Sequence, residues 1–473
     1  MPPVIVPAPC PPPECNLAPG DVEQFVAALA AYHAYFVPAF RRPEQQTWAA
    51  VYLNGLVSEQ PRKSSERIAL SQGVNVRDLQ HFIGQSTWPI TPVIAQHQHL
   101  IADTLGADDG VVLIDESGVV KQGHDSVGVA PQYCGAVGKV ANCQVGVYLG
   151  YASAKGYTLA DARLYLPKVF FADDHAELRA QCGIPHDLTF QTKPELGLTL
   201  LRETVERGLL PFQWVAADAL YGDTPTFLDG VAELGKWYFA EVACSTRVWW
   251  RQPEVYVPTR SGRGRRPTKP RLRHPYQRSR RVDAMVRRIP RRLWQPYLIK
   301  EGSKGPIICA FAFLRVSVVR NGVPRATVWL VIRRNLDDPT VVKFYLSNAP
   351  ASCALVRLAR MSGARWPVEL CFAEGKDEVG LDQYETRSWR GWHHHMTLVM
   401  LAHHFLVRMR VQLGLLAPAL TVAQVRLLLA SVLPKPVFDA AAALRLVQYY
   451  QRRNYVAYLS HRKTRLQQLA LSG

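Results

Sequence analysis

From Gly110 onward the chain alternates strand-like and helix-like segments, and this pattern limits its fold more than any other feature. VVLIDES, NCQVGVYLGYAS and LADARLYLPKV are rich in β-branched or aromatic residues and are separated by glycine or polar turns. That texture predicts a meander of three strands. A helical pattern follows in TKPELGLTLLRETVERG, then an apolar run in FQWVAADALYGD, a helix in TPTFLDGVAELG and a strand in KWYFAEVA. Strands that alternate with helices build an α/β sheet with parallel members.

Two aspartates occupy matching places in that pattern. Asp115 follows VVLI and Asp218 follows WVAA, so each is expected at or near the carboxyl end of a buried strand, where open α/β sheets place their ligands. Either one alone could equally cap a strand end or the turn after it. A third acid sits in RWPVELCFAEGKDEVGLDQY, residues 365 to 384. Arg365, Glu369 and Lys376 are spaced by four and then seven residues, which at about 100° per residue puts all three on one face of a helix. A solvated face with an i,i+4 Arg/Glu pair is the plainer reading. Pro367 fits only the first turn, so this helix should begin near Trp366. Glu374 and Glu378 are rival acids, but they point about 140° and 180° away from Glu369. Two Asp and one Glu are hard oxygen donors suited to a pair of Mg²⁺ ions, an arrangement that serves phosphodiester chemistry.

VLIDESG, VAADALYGD and RWPVELCFAEGKDEVGLDQYETRSWRGWHHHMTLVMLAHHFL resemble the DDE transposases of bacterial insertion sequences. Within them the chain looks like insertion-sequence family seven hundred and one, a relative of family four and of the branch with a Tyr-Arg-Glu-Lys signature. The resemblance runs from about residue 25 to 412. It implies an α/β, RNase H-like catalytic core interrupted by a β-rich insertion. It also implies that Asp115 and Asp218 are the first and second catalytic aspartates and that Glu369 completes the metal triad. Arg365 and Lys376 match the signature's Arg and Lys and would contact DNA phosphates, while its Tyr falls on Ser362. The cofactor implied is two Mg²⁺ ions, with Mn²⁺ as a substitute. The partners implied are double-stranded DNA, as element ends and target, and a second copy of the chain on that DNA. Cut-and-paste transposition is the activity that follows. A catalytically silent DNA-binding derivative and a stand-alone metal-dependent nuclease are the other two classes.

Charge agrees with a nucleic-acid partner. Lys and Arg total 56 against 38 Asp and Glu, giving a net charge of +18 and a pI near 9.6. Residues 251 to 300 alone carry 16 Lys or Arg against 2 acids. Arg263, Arg265, Arg266, Lys269, Arg271 and Arg273 are candidates there for phosphate binding with counterion release; a solvated loop is the alternative. GRGRRP weakly resembles a hook for A·T-rich minor grooves. This stretch opens an insertion that continues into three strand-like runs, GPIICAFAFLRVSVVR, ATVWLVIRR and VVKFYLSN. Trp249, Trp250 and Trp294 could stack on a base or pack in the core.

The regions expected are a disordered tail over 1–20 with eight prolines, a helical DNA-binding domain over 21–107, core segments over 108–245 and 351–412, the insertion over 246–350, and a helical basic region over 413–473. SSERIALSQGVNVRDLQHFIG has the outline of a helix-turn-helix, or of an ordinary helix pair. Nine cysteines without a C-x-x-C pair suggest reduced thiols. The first twenty residues lack signal-peptide features, and apolar stretches such as MTLVMLAHHFLVRM are too short or interrupted to cross a membrane. A bacterial cytoplasmic, nucleoid-associated location is expected. His393 to His395, His403 and His404 cannot all face one ion from adjacent positions on a helix, so a structural or phosphate-facing role is expected. GAVGK lacks the spacing of a phosphate-binding loop, and no nucleotide cofactor is expected.

Overall fold

The computed structural model describes residues 14–259, 267–302, 304–435 and 438–471. Six helices come first: α1 (Pro19–Glu23), α2 (Phe25–Phe36), α3 (Pro43–Val57), α4 (Ser65–Ser71), α5 (Val76–Gly84) and α6 (Ile90–Leu105). Proline in the first turn starts α1 and α3, where its missing N–H costs nothing. Between α4 and α5, Gly73 turns the chain at φ +67, and the Asn75 side chain caps α5 by accepting from the Arg77 N–H at 2.8 Å. Val76, Leu79, Phe82 and Ile83 give α5 one buried face. Two short helices joined by a glycine turn are therefore present, an arrangement common to a helix-turn-helix and to an ordinary helix pair. The tail expected over 1–20 is ordered from Glu14 onward: the Asn16 N–H bonds the Leu416 carbonyl at 2.9 Å, and α1 begins at Pro19. Residues 1–13 lie outside the described residues.

The central part supplies β1 (Val111–Val120), β2 (Ala130–Cys134), β3 (Lys139–Ser153), β4 (Gly156–Tyr165), α7 (Ala176–Gln181), α8 (Lys193–Arg207), β5 (Trp214–Ala217), α9 (Ala219–Gly222), α10 (Pro225–Glu233) and β6 (Trp237–Val242). β1, β3 and β4 form the expected antiparallel meander, with the short β2 added against β3. β5 joins β1 in parallel and β6 joins β5 in parallel, so the spatial order is β4-β3-β1-β5-β6. Residues 143–152 of β3 are buried without a break, as a strand covered on both faces must be.

The next stretch holds β7 (Arg247–Trp249), β8 (Val255–Tyr256), β9 (Arg271–Leu272), β10 (Arg280–Arg281), α11 (Val282–Val286), β11 (Gln295–Gly302), β12 (Gly305–Arg320), β13 (Val323–Asn335) and β14 (Val342–Ser347). The three long runs are strands as the sequence suggests, but they do not form a sheet of their own. β14 pairs antiparallel with β6, and β13, β12, β7 and β10 follow in order, so the central sheet simply continues into the insertion. An unpaired β6 edge would otherwise expose a row of backbone donors and acceptors. Trp249 and Trp294 are buried, and Trp294 lies under the Arg334 guanidinium at 4.1 Å; Trp250 is partly exposed.

Five helices complete the chain: α12 (Leu355–Met361), α13 (Trp366–Val379), α14 (Trp389–Gln412), α15 (Val422–Val432) and α16 (Ala440–Leu471). α14 is buried along most of its length and packs on β4, α3, α5, α6 and α13. A helix enclosed on all sides must satisfy its polar groups internally. Its histidines do this in part: His395 Nδ1 meets the Tyr52 hydroxyl at 2.8 Å, His404 Nδ1 the Tyr32 hydroxyl at 3.0 Å and His394 Nδ1 the Ile83 carbonyl at 3.0 Å, while Nε2 of His393 and of His404 is buried with no hydrogen-bond partner among the described residues. They are core residues. Among the described residues, no helix is long and apolar enough to cross a membrane.

Candidate active site

Val112, Leu113 and Ile114 anchor β1 in the core, and Asp115 follows as the fifth residue of a ten-residue strand. It is not a strand end, as the apolar run had suggested, because the antiparallel partner β3 continues alongside to Val120. The parallel ladder with β5 does stop here. It runs from Val111 opposite Trp214 to Ile114 opposite Ala217, and the next level would be Asp115 opposite Asp218. Asp218 leaves the strand and caps α9, its Oδ1 accepting from the Leu220 N–H at 3.0 Å. The two aspartates thus stand level at the point where adjacent parallel strands part.

The third acid arrives on α13. Pro367 lies in the first turn, as its chemistry requires, and Val368, Cys371, Phe372, Gly375 and Val379 form the buried face. Arg365 immediately precedes the helix. Its Nη1 donates to Asp115 Oδ2 at 2.6 Å, and its Nη2 to Glu369 Oε1 at 2.6 Å. One guanidinium therefore ties Glu369 to Asp115. The i,i+4 pair exists and its Glu369 side chain is 51% exposed, but the same Arg365 also reaches the Asp115 carboxylate, which is only 11% exposed. Lys376 is half-buried two turns further along the same helix. Glu374 and Glu378 turn away, Glu374 toward the Tyr157 hydroxyl and His403 at 2.9 Å each, and Glu378 toward Arg426.

Burial pushes the Asp115 carboxyl up to about 7, against the pull of Arg365; the charges of Asp218 and Glu116 push the same way as burial. Asp218 is raised by burial and then by Glu116. Burial would lower Arg365, but Asp115 and Glu369 more than offset it and keep it firmly charged. Concentrated negative charge beside one guanidinium has the chemistry to attract a cation, and a guanidinium fork that of pairing with a phosphate. Among the described residues, no group of three or more His, Cys, Asp or Glu already stands at ligating distances; Arg365 fills the space between two of the acids instead.

Three neighbours escaped the sequence. Glu116 faces the other side of β1, where Lys193 of α8 reaches it at 2.9 Å and the Tyr221 hydroxyl donates to it at 3.2 Å. Its adjacency to Asp115 was the only available signal. On the insertion side, Arg333 and Lys343, paired across β13 and β14, line a cavity of about 40 Å³ together with Arg365 and Ser362. Ser362 itself is buried, its hydroxyl donating to the Ala359 carbonyl at 2.7 Å. In the basic segment, Lys269 and Arg271 are exposed and Arg273 pairs with Glu254 at 3.0 Å. Arg263, Arg265 and Arg266 lie outside the described residues.

A family model described as DDE superfamily endonuclease matches residues 35–306. That range contains Asp115 and Asp218 and ends before Glu369. The chain is also 30% identical over 222 residues to a protein of Microchaete diplosiphon described as "Probable transposase for insertion sequence element IS701". The match covers 46% of this chain and 54% of that relative, so it spans about half the relative's length.

Proposed function

The chain belongs to the DDE endonuclease superfamily, and on that basis we propose that it is a cut-and-paste transposase. It would bind insertion-sequence ends in double-stranded DNA, cleave them and join the freed 3′ ends to target DNA. The observation that supports this most is the level placement of Asp115 and Asp218 at the end of the β1–β5 ladder, with Glu369 tied to them through Arg365. The strand order β4-β3-β1-β5-β6, three antiparallel strands followed by two parallel ones, supports an RNase H-like core.

Asp115, Asp218 and Glu369 would hold the divalent ions, two Mg²⁺ with Mn²⁺ as substitute. The donors fit: all are carboxylate oxygens, and the site already draws a positive charge between two of them. When bound, such ions supply Lewis acidity toward the phosphodiester and make water or a 3′ hydroxyl a competent nucleophile at neutral pH. Arg365 and Lys376 would orient the scissile phosphate, Arg365 through its planar fork. Lys193 and Tyr221 hold Glu116 on the far face of β1 and so brace the strand that carries Asp115. In the first step the P–O3′ bond between element and flank breaks while water's oxygen bonds phosphorus. In the second, the released 3′ hydroxyl attacks a target phosphate and a target 3′ oxygen leaves. No bond to protein is needed. Two ends must meet, which supports a homodimer on DNA, acting at the bacterial nucleoid in the cytoplasm.

The test incubates the purified protein and its Asp115→Ala variant with Mg²⁺, a target plasmid and the DNA flanking its own gene. Defined cutting and joining by the wild type alone is the expected result. Cutting without joining would favour a nuclease, and equal end binding without cutting would favour a silent DNA-binding derivative.

A further inference from the structure

Alternation along β13 puts Arg333 and Arg334 on opposite faces of the sheet, directly after the buried run 328–332. Arg334 finds a partner in the Trp294 ring at 4.1 Å. Arg333 is half-buried, yet among the described residues it meets no carboxylate. Its Nη1 makes a long bond of 3.4 Å to the Ser362 carbonyl, and its guanidinium lies 5.9 Å from the centre of the Tyr345 ring. An arginine carries five N–H donors, so most of these are unused. Holding a guanidinium partly out of water with so few partners costs free energy that a bound anion would offset.

The space beside Arg333 suits such an anion. Arg333, Lys343 and Arg365 line the cavity of about 40 Å³ together with Glu241, so three cations face one acid. Lys343 engages that acid, its Nζ donating to both Glu241 oxygens at 3.0 Å. Phe239, Tyr345 and Trp366 form apolar walls, and Lys300 lies over the Trp366 ring at 4.0 Å. Charge acts more strongly beside such walls than in open water. At about 10–15 Å³ per water, the cavity takes roughly three water-sized groups, which matches the oxygens of one phosphate and is too small for a base. The Lys343 side chain is 38% exposed, which leaves the cavity a side toward solvent.

The cavity adjoins the acids. Ala217, which precedes Asp218, belongs to its lining, and Arg365 reaches from it to Asp115 and Glu369. We propose that it binds one phosphate of the processed DNA strand, next along from the phosphate at the acids, with Arg333 supplying the unengaged donors. The inference rests on the transposase reading and adds to it a residue of the insertion that positions DNA. Ser362 leaves this task to Arg333, because its hydroxyl already donates to the Ala359 carbonyl at 2.7 Å. A guanidinium fork pairs with two phosphate oxygens at once, which fixes the orientation of the phosphate as well as its place. β13 belongs to the same sheet as β1 and β5, so Arg333 and the two aspartates share one frame.

The experiment follows single-turnover cutting of duplexes from the DNA flanking the gene, in Mg²⁺, with one phosphate at a time near the cut replaced by a neutral methylphosphonate. At one position beside the scissile phosphate, the replacement should slow wild type about ten-fold or more. Arg333→Ala, already slowed to a similar degree on the unmodified duplex, should lose nothing further there and as much as wild type elsewhere. Arg333→Lys, which keeps the charge without the fork, should recover part of the rate. If Arg333→Ala loses as much as wild type at every position, the cavity holds no DNA phosphate and the transposase reading stands. If wild type cuts no duplex, that reading fails, and melts in inorganic phosphate against chloride at equal ionic strength decide the cavity by itself. A rise in melting temperature that Arg333→Ala lacks keeps it as a phosphate site; equal rises remove it.

Discussion

Arg365 and Asp115, 250 residues apart in sequence, meet at 2.6 Å, and this contact fixes the start of α13 against the middle of β1. The pair is mostly out of solvent, with Arg365 30% and Asp115 11% exposed at the side chain. Removing one partner of such a pair leaves the other charge uncompensated. Arg365→Ala should therefore cost about 3 kcal/mol, by analogy with other partly buried pairs. Divalent ions should restore more of the lost stability in the variant than they add to wild type, because both compensate the same carboxylates. Thermal melts with and without Mg²⁺ decide this; an unchanged melting temperature and unchanged metal response would count against it.

The three acids should behave as one unit. Asp115→Asn, Asp218→Asn and Glu369→Gln are each expected to reduce end cleavage on the order of 10³-fold or more, and a double variant should be scarcely worse than either single one. Binding to element ends should survive, since the exposed cations of the basic segment are untouched. Multiplicative losses in the double variant would mean that the acids act separately.

Five buried histidines should make the fold acid-sensitive. Burial lowers His97 and His394 to about 4, His393 and His395 to about 3, and His404 well below its usual 6.5. The unfolded chain binds these protons below pH 6.5 and the folded chain does not, so stability is full above 6.5 and falls as pH drops toward 4. Each such group costs about 1.4 kcal/mol per pH unit in that window. Asp115 and Asp218, raised by burial, work the other way, two carboxyls against five imidazoles. Denaturant midpoints between pH 7 and 5 should fall steeply; a flat profile would contradict the burial of these rings.

Gly73 adopts φ +67 in the turn between α4 and α5, with nothing within 4 Å of where a Cβ would stand. Gly73→Ala should then cost only the backbone term, about 1 kcal/mol, and Gly73→Asn less. Chemical denaturation reads the difference, and equal losses would point to a steric clash instead.

Exposed cations of the basic segment should bind DNA without choosing sequence. Replacing Lys269 and Arg271 together by alanine is expected to lower the slope of log affinity against log salt by nearly two, at about 0.9 per phosphate contact. Arg273 shares its charge with Glu254, so Arg273→Ala should change the slope less. Salt titrations on scrambled duplex DNA measure both.

Much of this architecture is legible in the residues. The period of alternation from Gly110 to Val242 yields the order of strands and helices, and Pro367 sets the start of α13 within a residue. What failed was anything decided by a distant partner. Asp115 reads as a strand end because VVLI stops being apolar there, yet β3 carries the strand on for five more residues. The insertion's strands are recognisable by composition, but their docking on β6 depends on an edge that no local window contains. Lys193 reaches Glu116 from 77 residues away, and no spacing rule anticipates such a contact.

The continuation of one sheet through the insertion also sets a schedule. Asp115 lies in β1 and Asp218 directly follows β5, strands that can pair as soon as they emerge, whereas Glu369 waits behind about 150 further residues. At roughly 5–20 residues per second, the third acid leaves the ribosome about 10–30 s after the second. Throughout that interval a nascent chain can carry Asp115 and Asp218 and still lack the helix that brings Glu369 to them.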